Sequence, residues 1–350
     1  MNILHTADVH LKSDDDRTIQ ALETVLDQAA DEDVALVTVG GDLFDSTEDA
    51  EELRPKLRDL FKDNPFDVIA IPGNHDQEVY KKNLRFGEDL EILVDKPVTV
   101  RDLGEVEVVG VPFTSTLTEE LYRELQGVGD PAKTQVALLH CTLDIGFLSN
   151  DVGVDEGTYF PVSQATLSEF EFDYILGGHI HSTDREVPLD SGGKFIYPGS
   201  PVSHSTSETG KRNAVLIDTD EDRITSVELD TFYHDRYSET VVPGDESRLF
   251  EAIQQWVSSR AADDCELTIF VDGYVDRDED EFYEDLKAAA DPVEPKDETR
   301  TVSDVLNHPL YQRFNGKLEE QDEVDDEDRV RTQVMDVLSR LLTQNKVQST

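Results

Sequence analysis

Ile3-Leu4-His5-Thr6-Ala7-Asp8-Val9-His10 is the stretch that decides the fold: a short apolar run that ends on a carboxylate and an imidazole two residues apart. A run this short, bounded by polar residues, is a strand buried on both faces, since a helix needs ten or more residues to bury a face. The same construction recurs down the chain. Ala35 to Val39 is followed by Gly41-Asp42, and Val68 to Ile71 by Gly73-Asn74-His75-Asp76. Val136 to Leu139 is followed by His140, and Tyr174 to Leu176 by Gly178-His179-Ile180-His181. Further runs stand at Val106 to Val111, Phe195 to Tyr197 and Ala214 to Ile217. More polar segments with helical spacing lie between most of them, as near residues 17 to 30. The pattern predicts a layered α/β domain over residues 1–230.

In open α/β sheets the ligand crevice lies outside the carboxyl ends of the strands, so residues scattered in sequence converge there. Five of the nine histidines fall at such strand ends, a concentration that packing does not explain. Carboxylate, imidazole and amide oxygen without thiolate suit Mn²⁺, Fe or Zn²⁺ in a hydrolytic site, where one carboxylate can serve two ions. Asp8, His10, Asp42, Asn74, His140, His179 and His181 are the candidate ligands. Glycines beside Asp42, Asn74 and His179 let the backbone turn tightly there. His5, inside the first strand, is read as a buried or supporting residue, and His204, His234 and His308 as surface or packing residues.

The charge balance is extreme: 31 Lys and Arg against 78 Asp and Glu, a net −47 over 350 residues. Apolar runs this regular exclude a disordered acidic chain. The charge instead fits a halophile's protein, whose surface carboxylates keep it hydrated in concentrated salt. Cys141 and Cys265 have no metal-ligand spacing and suggest no disulfide framework. No apolar run has membrane-spanning length, and the start lacks the pattern of a signal peptide, so a cytoplasmic location is expected.

From residue 231 the texture changes. Leu249, Phe250, Ile253, Trp256 and Val257 fit one helical face, Leu267 to Val271 reads as a strand, and Phe282, Leu286 and Ala289 as a second helix. These predict a small α/β domain over 231–295. Residues 296–350 read as a polar linker, nearly continuous acid from Glu319 to Asp328, followed by an amphipathic helix through Val330, Val334, Val337, Leu338, Leu341 and Leu342.

The five strand-end blocks, in their order, resemble those of the calcineurin-like metallophosphoesterases. The resemblance implies an αββα-type sandwich holding two divalent ions, manganese first, with iron or zinc as alternatives. It places Asp8, His10, Asp42 and His181 on one ion and Asp42, Asn74, His140 and His179 on the other, with Asp42 bridging. It makes His75 the acid that protonates the leaving oxygen and Asp76 the residue that orients the His75 imidazole.

The wording Ile3 to Leu11, Gly41-Asp42-Leu43-Phe44-Asp45 and Tyr197-Pro198-Gly199-Ser200-Pro201 is similar to the Mre11 and SbcD branch, nucleases of DNA double-strand-break repair, here of haloarchaeal type. That likeness implies DNA as substrate, a capping role for the small α/β domain over 231–295, a Rad50- or SbcC-like ATPase as partner of the C-terminal helix, and a homodimer as one assembly. The sequence departs from the branch at Lys12, where glycine is usual, and at Asp45, where archaeal members carry histidine. It departs again after Pro201, where Ser and His replace a Glu-Arg pair. A phosphoesterase acting on small nucleotides or phosphoproteins under a different cap is the alternative, and a non-catalytic scaffold is a more distant one.

Overall fold

The apolar runs become inner strands, numbered here in chain order, of two sheets that are each six-stranded among the described residues. The first holds β1 (Asn2–Thr6), β2 (Leu36–Val39), β3 (Asp67–Ala70), β4 (Leu90–Ile92), β13 (Arg212–Asp218) and β14 (Arg223–Leu229), ordered β14-β13-β1-β2-β3-β4. The second holds β5 (Thr99–Asp102), β6 (Val106–Gly110), β7 (Thr134–His140), β10 (Tyr174–Gly178), β11 (Arg185–Pro188) and β12 (Lys194–Tyr197), ordered β11-β12-β10-β7-β6-β5. The short strands β8 (Thr142–Asp144) and β9 (Pro161–Ser163) pair separately. The computed structural model describes residues 1–82, 84–95, 97–144, 160–182, 184–275, 277–301, 303–319, 326, 329–335 and 337–338.

Strand alternation sorts the apolar side chains into three layers. Ile3, Leu36, Ile69, Val108, Val136, Leu138, Leu176 and Ile217 form one buried cluster contributed by both sheets. Their neighbours Leu4, Val37, Val68 and Ala70 point the other way, onto Ile19, Leu22, Val25 and Leu57 of α1 (Asp16–Asp31) and α2 (Thr47–Leu60). Val109, Ala137, Leu139 and Ile175 meet Leu121, Leu125 and Leu167 of α4 (Glu119–Gly127) and α5 (Gln164–Leu167). The result is the expected helix-sheet-sheet-helix sandwich. The one-turn helix α3 (Gln77–Tyr80) follows the third strand-end block.

Within these two sheets, the strands that sequence reading missed are the four edges, β4, β5, β11 and β14. None is buried along its length, so none carries the continuous apolar run of an inner strand.

The chain divides into two compact units, Met1–His234 and Asp235–Thr350. In the second, β15 (Tyr233–Val241), β16 (Cys265–Val275), β17 (Lys296–Asp297) and β18 (Arg300–Thr301) form a sheet with α6 (Glu246–Ser258) and α7 (Glu279–Ala290). Its core gathers Leu249, Ile253, Ile269, Val271, Phe282 and Leu286. The stretch read as linker is corrected in part: β17, β18, α8 (Ser303–Leu306) and α9 (Pro309–Glu319) stand in it. Residues 329–335 and 337–338 are helical, and Met335 and Leu338 bury against Tyr274, Val305 and Tyr311. Residues 320–325, 327 and 328 of the acidic run, and Leu341 and Leu342, lie outside the described residues.

Candidate metal centre

Parallel pairing of β1 with β2, β2 with β3, and β7 with β10 points the carboxyl ends within each set one way. Hydrogen bonds then stitch the ends together. Asp8 N donates to Gly41 O and His10 N to Asp42 O, both at 3.0 Å, and His179 N donates to Asp8 Oδ1 and Oδ2 at 3.0 and 2.9 Å. Asp8, His10, Asp42 and His179 all take a left-handed backbone, with φ of 56°, 44°, 50° and 94°. Non-glycine residues adopt this region at a cost of about 1–2 kcal/mol each, and such strain gathers at functional sites.

Two groups of donors result. In one, His10 Nε2 lies 3.3 Å from His181 Nε2, and His181 Nε2 lies 3.8 Å from Asp8 Oδ1. In the other, His140 Nε2 lies 2.9 Å from Asn74 Oδ1 and 3.2 Å from Asp42 Oδ2. Asp42 stands between them, since the same Oδ2 is 3.8 Å from His10 Nε2 while Oδ1 accepts the His75 N–H at 2.8 Å. The His179 ring packs edge-on to that of His140 at 5.2 Å. All seven predicted ligands are thus brought to one place.

The donor set suits cations. His140 Nδ1 sits 2.9 Å from the Gly40 carbonyl, an acceptor, so Nδ1 carries a proton and Nε2 of the neutral ring is a lone pair facing an amide oxygen and a carboxylate oxygen. Three acceptors facing each other need a positive charge among them. A proton feels the same field. Burial depresses the His140 pKa, but the charge of Asp42, the hydrogen bond to it and the charge of Asp8 raise it to about 9. Burial opposes ionisation of Asp42, yet His140 holds its pKa below the usual range.

The glycines also clear space for ligand side chains. A Cβ on Gly73 would stand 2.1 Å from Asp42 Oδ1, and one on Gly41, at φ 104°, 2.4 Å from His140 Nδ1. Gly73→Ala should displace Asp42 and cost about 1–3 kcal/mol of stability, measured by urea unfolding.

His75 is exposed, its ring 4.7 Å from that of His10. Asp76 does not hold that ring, which corrects the expected orienting role. Its buried carboxylate accepts from Gly73 N at 2.8 Å, Leu43 N at 2.9 Å, Phe44 N at 3.3 Å and Tyr80 Oη at 2.9 Å. Those backbone donors would otherwise be buried unpaired, so Asp76 locks two ligand loops together. Burial and the charge of Asp42 push its pKa up to about 7, against these hydrogen bonds. The carboxylate grouped with His75 and His10, all within 4.8 Å, is that of Asp45. Asp45 Oδ1 lies 3.3 Å from His10 Nδ1 and 3.6 Å from Lys12 Nζ, so the two departures at Lys12 and Asp45 meet each other beside the site.

His204 takes the packing role of the two read for it. It places Nε2 2.9 Å from the Asp8 carbonyl and its ring 5.0 Å from that of His10. Burial and the neighbouring histidines push its pKa down to about 3. His5 is the expected buried support: Nδ1 lies 3.0 Å from Thr38 Oγ1 and Nε2 3.0 Å from Gly177 O, and burial lowers its pKa to about 4.

The family model for calcineurin-like phosphoesterases matches residues 1–183, more than half of the chain. The chain belongs to that family. This phosphoesterase is therefore a metal-dependent hydrolase, and its clusters Asp8/His10/His181 and Asp8/Asp42/His140 could hold metal ions. A DNA double-strand break repair protein Mre11 from Methanopyrus kandleri is 25% identical over 235 residues, 57% of this chain and 49% of that one. The match thus spans about half of that relative's length. Among solved structures, a dimetal phosphatase from Danio rerio aligns with a TM-score of 0.42 at 12% identity, covering 65% of this chain and 96% of that one. GAP50, the anchor in the inner membrane complex of Plasmodium, aligns with a TM-score of 0.39 at 10% identity, covering 65% and 89%. No helix among the described residues is long and apolar enough to cross a membrane.

Proposed function

We propose that this phosphoesterase is a manganese-dependent DNA nuclease of the Mre11 and SbcD kind, working in double-strand-break repair with a Rad50- or SbcC-like ATPase. The observation that carries this reading is the convergence of seven oxygen and nitrogen donors beside an exposed imidazole, in a chain whose likeness to an Mre11 runs over 235 residues. Asp8, His10, Asp42 and His181 would hold one ion, and Asp42, Asn74, His140 and His179 the other. Two bound ions supply Lewis-acid charge for the phosphoryl oxygens and water acidic enough to attack near neutral pH.

The chain's own part is positioning and proton delivery. Asp42 is fixed through the His75 N–H and faces both donor groups, so it sets their spacing. His75, exposed at the rim, is placed to protonate the departing sugar oxygen. Residues 1–230 form the catalytic domain in this reading, and 231–295 a cap that selects duplex DNA. Leu310 and Val337, 58% and 55% exposed, lie in an apolar hollow with Val334 and Leu338, which suits a helix of the ATPase partner. Lys81 and Lys82 contribute little to DNA, since each already pairs with a carboxylate, Glu78 and Glu51 respectively. The net charge of −47 fits a halophilic cytoplasm, where molar salt shrinks the Debye length to about 3 Å and phosphate contacts with the ions replace counterion release.

The test is Mn²⁺-dependent hydrolysis in high salt of single- and double-stranded DNA beside a small phosphodiester. DNA degradation is the expected result. Hydrolysis of the small ester alone would overturn the nuclease and leave a general phosphoesterase.

A further inference from the structure

Glu208 lies outside the five blocks and beyond the matched residues 1–183, yet it is only 7% exposed and reaches into the centre. Its Oε1 stands 3.2 Å from His181 Nδ1 and 3.3 Å from Ser205 Oγ. Its Oε2 accepts from His204 N at 2.9 Å and Ser200 Oγ at 3.3 Å. Its backbone is fixed as well, the N–H donating to Ser205 O at 3.1 Å and the carbonyl accepting from Ser203 Oγ at 2.6 Å. A buried carboxylate held by this many donors has one rotamer and cannot swing away from the imidazole.

The consequence falls on His181. An ionised carboxylate only accepts, so His181 Nδ1 must carry the proton, and Nε2 of the neutral ring is a lone pair. That lone pair faces His10 Nε2 at 3.3 Å and Asp8 Oδ1 at 3.8 Å. The His181 main chain is held from another side: buried Arg212 donates through Nη2 to the His181 carbonyl and through Nε to Ser200 O at 3.0 Å. Glu208 also grips the backbone of His204, whose ring donates to the carbonyl of Asp8. Two of the three residues in this donor group are therefore steadied from the loop that Glu208 organises.

We infer that Glu208 is a positioning residue for the divalent cation that Asp8, His10, Asp42 and His181 would hold, fixing the proton on His181 Nδ1 so that Nε2 is aimed at the ion. This rests on the metal-centre reading above. A purely structural Glu208 would tie down its loop without regard to which ion is bound. The positioning role predicts an effect confined to one ion.

The experiment is calorimetric titration of the chelator-stripped full chain with Mn²⁺, comparing wild type, Glu208→Ala, Glu208→Gln and the control His181→Ala. Glu208→Ala should weaken one of the two ions by roughly 10- to 100-fold and leave the other within about twofold of wild type. Glu208→Gln, whose amide oxygen still accepts from Nδ1, should recover part of the loss. Unchanged affinities in Glu208→Ala, or equal weakening of both ions, would overturn the role while His181→Ala still loses an ion. Wild type that takes up no Mn²⁺ would instead overturn the metal centre, and this role with it. Should Glu208→Ala fail to fold, Glu208→Gln and the ¹⁵N spectrum of the imidazoles decide: an Nε2–H tautomer at His181 in the metal-free wild type overturns the assignment.

Discussion

His75→Ala is expected to lower kcat by about 10²- to 10⁴-fold, the usual worth of a general acid, while both metal ions remain bound. The ring is exposed at the rim and only its backbone N–H is tied to a candidate ligand, Asp42, at 2.8 Å. Alanine keeps that N–H. Removing the imidazole should therefore spare the donor groups, and metal content by atomic emission should match wild type. The loss should shrink for an ester with a good leaving group such as nitrophenolate, whose departure needs no proton. An equal loss on both esters would count against His75 as the acid and point to substrate placement instead.

Asp42→Asn should have a different signature. Its side chain faces both donor groups, with Oδ2 at 3.2 Å from His140 Nε2 and 3.8 Å from His10 Nε2. The amide keeps the size and can still accept from His75 N–H, but the bridging charge is gone. Activity should fall by roughly 10³-fold or more, equivalent to losing several kcal/mol of charge stabilisation, and uptake of both ions should fall together. Excess Mn²⁺ should restore part of the activity here and none in His75→Ala. Full retention of both ions in Asp42→Asn would remove Asp42 from the bridging position.

Much of the centre was legible in the sequence because the fold writes it in a regular way. A buried strand needs an apolar run, and the residue after it lands at the sheet edge where ligands collect, so Asp8, Asp42, Asn74, His140 and His179 were found by position alone. The four edge strands were not, because an exposed strand such as Thr99–Asp102 has no apolar run to notice. Glu208, and the nearness of His204 to the centre, were missed for a related reason. Both residues sit on an irregular loop between β12 and β13, where no periodicity places a side chain, and the only signal was a carboxylate in a Ser- and His-rich stretch. The family expectation for Asp76 failed on an energetic point: the buried backbone N–H groups of Gly73, Leu43 and Phe44 have first claim on the nearest carboxylate. In the second unit, α9 escaped because Gly316 and the preceding polar residues obscure the spacing of Tyr311, Phe314 and Leu318.

Asp8, His10, Asp42 and His179, held in left-handed backbone at three strand ends, should make the empty chain and the loaded chain different in durability. Four such residues together cost about 4–8 kcal/mol, comparable to the whole margin by which many domains stay folded. An ion present at a hundred times its dissociation constant returns about 2.7 kcal/mol, so two of them offset a large part of that strain. If both ions bind, metal supply should set how long each molecule survives proteases, so limited proteolysis should cleave the chelator-stripped chain faster than the Mn²⁺-loaded one.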